Sequence, residues 1–62
     1  MIEVKPGILI NPRKVFKVVR HDIAGHYELN VYTANGNYDT YDYYGDKEAR
    51  DAVYDLFQKE ED

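Results

Sequence analysis

From position 26 to position 44 apolar and polar side chains alternate with a period of two, and from position 46 the apolar residues recur every three or four. The first pattern is that of half-buried strands and the second that of an amphipathic helix. Lys14 to His21 and His26 to Ala34, both rich in β-branched and aromatic residues, are predicted strands, and Asn37 to Tyr44 is the strand that returns. Asn35-Gly36 between the last two is a strong hairpin signal, because a type I′ turn needs positive φ at both central residues. Upstream, Gly7 to Ile10 reads as a strand. Ile2 to Lys5 is a further candidate, set off by the turn dipeptide Pro6-Gly7, and its order and pairing stay open. Asn11-Pro12 interrupts the run, since Pro12 has no N–H to donate.

A two-residue loop at Asn35-Gly36 implies a register in which Thr33 faces Tyr38, Val31 faces Thr40 and Leu29 faces Asp42. Tyr27, Leu29, Val31 and Tyr38 then share the apolar face, and His26, Glu28, Asn30, Tyr32, Asp39, Tyr41 and Tyr43 share the other. For the preceding hairpin, a four-residue loop from Asp22 to Gly25 sets His21 opposite His26 and sends Phe16 and Val18 to the apolar face. Asp42 is the misfit, because this register aims it at Leu29. The rim of an edge strand is the preferred explanation, and a bulge near Tyr41 that shifts the register is the other.

Asp46 is a suitable N-cap, and Ala49, Val53, Leu56 and Phe57, with Ala52 beside them, form one apolar stripe. Glu60 falls inside that stripe, and Glu60-Glu61-Asp62 oppose the negative end of the helix dipole, so the helix is expected to stop near Gln58 or Lys59. The predicted fold class is therefore α+β: a small antiparallel β-sheet of three to five strands in a meander, packed on one face by a single C-terminal α-helix. Residues 1–62 make one domain, with the sheet over about 2–44, the helix over about 46–59 and a frayed acidic tail at 60–62. The expected core is Phe16, Val18, Leu29, Val31, Tyr38, Val53, Leu56 and Phe57.

Length changes what this core must do. A chain of 62 residues buries only ~60% of the surface its unfolded form exposes. With no cysteine, disulfides and thiolate metal sites are excluded, which leaves self-association as the expected support. The missing cysteine fits a reducing compartment, and Met1 to Ile10 carries no apolar signal-peptide core, so a cytoplasmic protein with no membrane association is expected. The net charge of −4 is unevenly spread: Lys5, Arg13, Lys14, Lys17 and Arg20 against Glu3 make the first 20 residues +4, and the remainder is −8. The acidic portion repels phosphate backbones and attracts basic partners.

Catalytic chemistry is poorly supplied. The chain has neither Ser nor Cys, Thr33 and Thr40 lie mid-sheet, and Asp39 and Asp42 alternate to opposite faces of a strand, so no enzyme, cofactor or small-molecule substrate is expected. His21 and His26 flank a loop with Asp22 and Glu28 close by, ligand types zinc accepts, but the spacing matches no metal motif and the two are expected as exposed histidines without a metal.

Seven tyrosines are the most distinctive feature. Tyr27, Tyr38 and Tyr54 complete the core and its margin. Tyr32, Tyr41 and Tyr43 fall on the face the helix leaves uncovered, where Glu28, Asp39, Lys17 and Val19 join them as the candidate interaction surface. The function these residues favour is a non-enzymatic protein-interaction module, an accessory protein of a bacterium or phage, whose partner is another protein or a second copy of the chain. The alternative is a role connected with nucleic acid, either stacking of single strands on the three phenols or mimicry of phosphates by the run Asp39 to Asp46. Nucleic acid is the less favoured partner, because Lys17 is the lone cation on that face.

Ile8-Leu9-Ile10-Asn11-Pro12, the valine-rich strand, the Asn-Gly hairpin and the helix opening Asp46-Lys47-Glu48-Ala49 together resemble the strand-and-helix half of small bacterial pleckstrin-homology-like modules, over residues 8–58. The resemblance includes no diagnostic motif and implies no function or site.

Overall fold

Ile2 and Val4 alternate with Glu3 and Lys5, and the two aliphatic side chains are buried, so the first residues form a strand of the core. In the computed structural model, which describes residues 1–34 and 36–60, this strand, β1 (Ile2–Lys5), pairs antiparallel with β2 (Ile8–Ile10) as a hairpin of its own. Pro6 at the first central position and Gly7 at φ +83° at the second are what a type II turn requires. Asn11 then caps a single 3-10 turn, Pro12–Lys14, its side-chain Oδ1 accepting from the Arg13 N–H at 3.1 Å.

The chain continues as a three-stranded antiparallel sheet in the order β3 (Val15–Ile23), β4 (His26–Thr33), β5 (Tyr38–Asp42), followed by α1 (Lys47–Glu60). The α+β class, the antiparallel meander of three strands and the single C-terminal helix are as the sequence predicts; β1 and β2 form a second, two-stranded sheet beside it. The β1–β2 hairpin and α1 lie against the same face of β3–β4–β5. Ile2, Val4, Val31 and Phe57 meet there, with Ile10, Val15, Val18, Tyr41 and Val53 around them.

Both loops of the three-stranded sheet differ from expectation. β3 runs on to Ile23, which pairs with His26, so the loop is Ala24-Gly25 and both residues have positive φ, +48° and +81°. This is the type I′ geometry. Shortening the loop by two residues preserves the faces, so Val18 still lies beside the apolar residues but now faces Val31. Phe16 is the residue squeezed out where the register slips between Val15 and Lys17. It is 74% exposed, and Val15 takes the inward position instead.

The β4–β5 connection spans residues 34–36; Asn35, half of the expected turn, lies outside the described residues. The Thr33 N–H donates to Asn37 O at 2.9 Å, the Gly36 N–H donates to Thr33 O at 3.1 Å, and Gly36 has φ +79°. This is a three-residue loop with its glycine in the left-handed region. One residue more than expected moves the register by one, so that Tyr32 faces Tyr38, Asn30 faces Thr40 and Leu29 faces Tyr41. Asp42 therefore faces Glu28 on the other side of the sheet, and no charge is aimed at Leu29. Beyond β5, Tyr27 exchanges backbone hydrogen bonds with two successive residues, Tyr43 and Tyr44, both at 2.8 Å, and Tyr44 takes φ +55°.

The helix is capped as predicted, Asp46 Oδ1 accepting the Ala49 N–H at 3.0 Å, and it extends to Glu60, past the expected stop; residues 61 and 62 of the predicted tail lie outside the described residues. Its inward face is Arg50, Val53, Tyr54 and Phe57, rotated from the predicted stripe, and Leu56 is exposed. Of the expected core, Phe16, Tyr38 and Leu56 lie outside, while Ile2, Val4 and Tyr43 lie within.

Ala24 is an L-residue held in the left-handed region with its side chain exposed, a conformation that asparagine tolerates better. Ala24→Asn is expected to raise stability by about 0.5–1 kcal/mol, or about 3–6 °C in a thermal melt of a domain this small. A midpoint that stays put or falls would contradict the turn assignment.

Candidate interaction surface

With the helix and the first hairpin on one side, the opposite face of β3–β4–β5 carries side chains in four rows that run across the strands. The first row is Lys17, Tyr32 and Tyr38. The Lys17 ammonium sits 4.5 Å from the Tyr32 ring centroid, and the two phenol rings stack at 4.7 Å and 29°. The second is Val19, Asn30 and Thr40, in which the Thr40 hydroxyl donates to Asn30 Oδ1 at 2.8 Å. The third is His21, Glu28 and Asp42, with His21 Nδ1 and Glu28 Oε1 3.1 Å apart. The fourth is Ile23 and His26, whose Nδ1 reaches diagonally to Asp42 Oδ2 at 2.8 Å and whose ring lies 5.7 Å from that of Tyr44. Each carboxylate on this face thus has an imidazole partner, and each aromatic ring of the first row has a neighbour on the same row.

Of the seven residues predicted for the surface, Lys17, Val19, Glu28 and Tyr32 are on this face. Asp39, Tyr41 and Tyr43 are not: the one-residue shift in β5 turns them to the helix side, where Tyr41 packs against the core and Asp39 remains exposed at the sheet edge. Tyr38, Thr40 and Asp42 take their places, and Tyr38, expected in the core, is 53% exposed. The Val19, His21, Ile23 alternation within the sequence signals that β3 outlasts His21; the β5 swap has no comparable signal, because Asn-Gly suits both loop lengths.

The helix side is where ionisable groups are most displaced from their ordinary behaviour. The Tyr43 hydroxyl donates to Val4 O, tying the first hairpin to the end of β5, and burial, helped by neighbouring Tyr41, pushes its pKa up to about 12. Burial, and then Asp39, also raises Tyr41. The Lys5 ammonium donates to Asp42 O and lies over the Tyr43 ring at 4.8 Å. On the open side, partial burial works against the charge of Asp42. The Tyr44 N–H, the His26 ring and Lys5 outweigh it, so that its pKa lies below the ordinary carboxylate value.

Arg50 is only 2% exposed. Its Nη1 donates to Asp22 Oδ1 and to Glu28 O at 3.2 Å, its Nε donates to Asp51 Oδ1 at 2.7 Å, and its guanidinium lies 5.3 Å from the Tyr27 ring centroid. Burial works to neutralise it, and Asp22 and Asp51 more than offset this, raising its pKa. Asp51 is lowered by the hydrogen bond from Arg50, against the opposing effect of burial and with help from Arg20 and Lys47. These groups are bound up in holding helix to sheet. A separate open groove of about 330 Å³ between β1 and the start of α1 has Glu3, Lys5, Tyr43 and Asp46 on its walls. Among the described residues no group of three or more His, Asp or Glu is placed to share a metal ion, and no helix is long and apolar enough to cross a membrane.

Comparison with known proteins yields no match: no protein family fits the chain, and neither a characterised protein nor a solved structure is significantly similar to it. The likeness to pleckstrin-homology-like modules has no counterpart there.

Two outcomes follow from the helix side. Tyr43 ionises near 10 when unfolded and near 12 when folded, so its contribution is complete below pH 10 and is lost as pH rises towards 12. Tyr43→Phe is expected to cost about 1 kcal/mol at pH 7 through the lost hydrogen bond. Because the variant lacks that titration, its deficit against the parent should shrink in urea melts at alkaline pH; a constant deficit would show that the hydroxyl is not shielded. For Arg50, substitution by Met leaves Asp22 and Asp51 to water, whereas Asp22→Asn combined with Asp51→Asn strands a buried guanidinium. The double variant should therefore melt below Arg50→Met, and the reverse order would mean that the pairs do not hold the cation.

Proposed function

We propose that the chain is a non-catalytic protein-interaction module, cytoplasmic and of the bacterial or phage accessory kind, and that its working surface is the uncovered face of β3–β4–β5. The observation that carries this reading is the first row of that face. Lys17, Tyr32 and Tyr38 form a preassembled cation-on-phenol stack, with the outer Tyr38 ring open to solvent and Val19 and Ile23 exposed further along. Stacked rings have little rotamer freedom left to lose, so a protein surface that packs on them gains apolar contact at low entropic cost. The carboxylates of the face already have imidazole partners, so docking leaves none of them buried and unpaired. The absence of Ser and Cys and the small size support a module without chemistry of its own.

Single-strand binding is the second reading, and one observation favours it. Arg13, Lys14 and the exposed Phe16 line a hollow of about 450 Å³ with Ala34, at the end of the sheet that bears the Tyr32–Tyr38 stack. Against it, Lys17 and Tyr38 already cover the two faces of Tyr32. The phosphate-mimic version loses its basis, because Asp39, Asp42 and Asp46 point in different directions and the last two are engaged by His26 and by the Ala49 N–H.

Capture from the native cell extract with immobilised protein tests the proposal. A protein retained by the parent and by Leu56→Ser, on the outer side of α1, should be lost with Tyr38→Ala and weakened with Lys17→Ala. Retention that ignores both face variants refutes the surface, and a salt-sensitive anisotropy change with a labelled oligonucleotide that Phe16→Ala abolishes would establish the second reading instead.

A further inference from the structure

The outer edge of β3 is unpaired among the described residues, and its pattern selects a partner. The Thr33 N–H to Asn37 O and Tyr43 N–H to Tyr27 O bonds turn the backbone groups of the odd-numbered residues of β4 towards β5. Those of its even-numbered residues must then face β3 and engage Lys17, Val19, His21 and Ile23. The N–H and C=O groups of Val18, Arg20 and Asp22 are left pointing outward. Only even register sums are available to two copies of this edge meeting antiparallel about a two-fold axis, because outward groups must meet outward groups.

The charges discriminate among those registers. Centring the axis on Arg20 sets two guanidinium groups opposite one another, and centring it on Asp22 sets two carboxylates opposite. Centring it on Val19 puts Lys17 against His21 of the second copy, and centring it on Val18 runs the pairing into the bulge at Phe16. With the axis at His21, Arg20 faces Asp22 of the other copy twice on the helix side, and Val19 faces Ile23 twice on the open side. The available atoms match. Asp22 is 57% exposed with only Oδ1 engaged by Arg50, and Arg20 is 50% exposed, its contact with Asp51 a long 3.7 Å. Val19 and Ile23 are exposed aliphatic groups that this pairing covers. The two imidazoles that meet on the axis each bring a Glu28 partner at 3.1 Å.

We infer that β3 is a self-association edge: two copies of the chain add strand to strand about His21, with reciprocal Arg20–Asp22 and Val19–Ile23 pairs, into one six-stranded sheet. This goes beyond the docking face: of that face it shares only Val19 and Ile23, and it is tested apart from it because it uses the backbone edge and none of Lys17, Tyr32 or Tyr38, the residues on which the capture experiment turns. It supplies the buried surface that a chain of 62 residues lacks.

Sedimentation over a concentration series should show a monomer–dimer equilibrium. Val19→Lys and Ile23→Glu alter exposed side chains only, and each alone should weaken the dimer by about tenfold or more, while an equimolar mixture of the two should restore it, because the new lysine then meets the new glutamate. The chain has no native cysteine, so single cysteines report the register. His21→Cys lies on the axis, where facing Cα atoms of a non-hydrogen-bonded pair are about 4.5 Å apart and a disulfide can close. It should cross-link on oxidation, whereas Val19→Cys, set opposite position 23, should not. A strict monomer at every concentration overturns the inference, as does a dimer whose mixture of variants fails to recover or whose Val19→Cys form cross-links as readily as His21→Cys.

Discussion

A guanidinium held out of water where helix meets sheet governs how the molecule is put together. Arg50 lies on the inward face of α1, and a charge in that position is tolerated only if its N–H groups find acceptors. Asp22 near the end of β3, Glu28 O on β4 and Asp51 on the same helix supply them, and Tyr27 offers its ring face. These acceptors lie on three separate elements, so their geometry sets the rotation of the helix about its axis. Arg50 inward brings Val53, Tyr54 and Phe57 round with it and carries Leu56 out to solvent. Arg20 repeats the motif on a smaller scale, its guanidinium 4.5 Å from the Tyr54 ring centroid and close to Asp51.

The other half of the cover is the first hairpin. The helix alone does not span the face, and Ile2 and Val4 fill what it leaves, meeting Val31 and Phe57. Two polar contacts lock the hairpin against the end of β5, the Tyr43 hydroxyl to Val4 O and the Lys5 ammonium to Asp42 O. Both contacts need β5 in its observed register: Tyr43 must point towards the hairpin and the outward carbonyl of Asp42 must be free at the sheet edge. The β4–β5 loop therefore decides more than a local pairing, because a shift of one residue there exchanges the side chains available to the core for those shown to solvent.

This sensitivity marks the limit of what is legible in the chain. Element types follow directly from periodicity: the strands, the helix and the Asp46 cap are visible because each rests on local spacing. The faces of β4 are visible too, since Leu29 and Val31 alternate with Glu28, Asn30 and Tyr32, and those of β3 follow by pairing, because a loop error of two residues leaves parity intact. The faces of β5 are not. Tyr38, Tyr41 and Tyr43 are all amphipathic and fit either side, so hydropathy cannot choose between registers one residue apart. The one residue able to choose is Asp42: its conflict with Leu29, which reads from the sequence as the rim of an edge strand, reflects instead a pairing shifted by one residue. Arg50 was hidden for a different reason: an isolated arginine on an amphipathic helix reads as polar face, and its buried state emerges only when Asp22, 28 residues away, is brought beside it.

The arrangement also explains why the exposed side of so small a domain is laid out as it is. Among the described residues the helix and the first hairpin both pack on one side of β3–β4–β5, and the second face is left open to water. Cross-strand pairing suits it to that setting: imidazole with carboxylate, hydroxyl with amide, ring with ring. Such pairs satisfy one another and make the interior of the face indifferent to additional polar partners. Among the described residues, what remains unsatisfied lies at its margins, in the outward backbone groups along the edge strands β3 and β5 and at the outer ring of Tyr38. At the perimeter of the sheet an incoming strand or an apolar surface would add contacts without first having to break any.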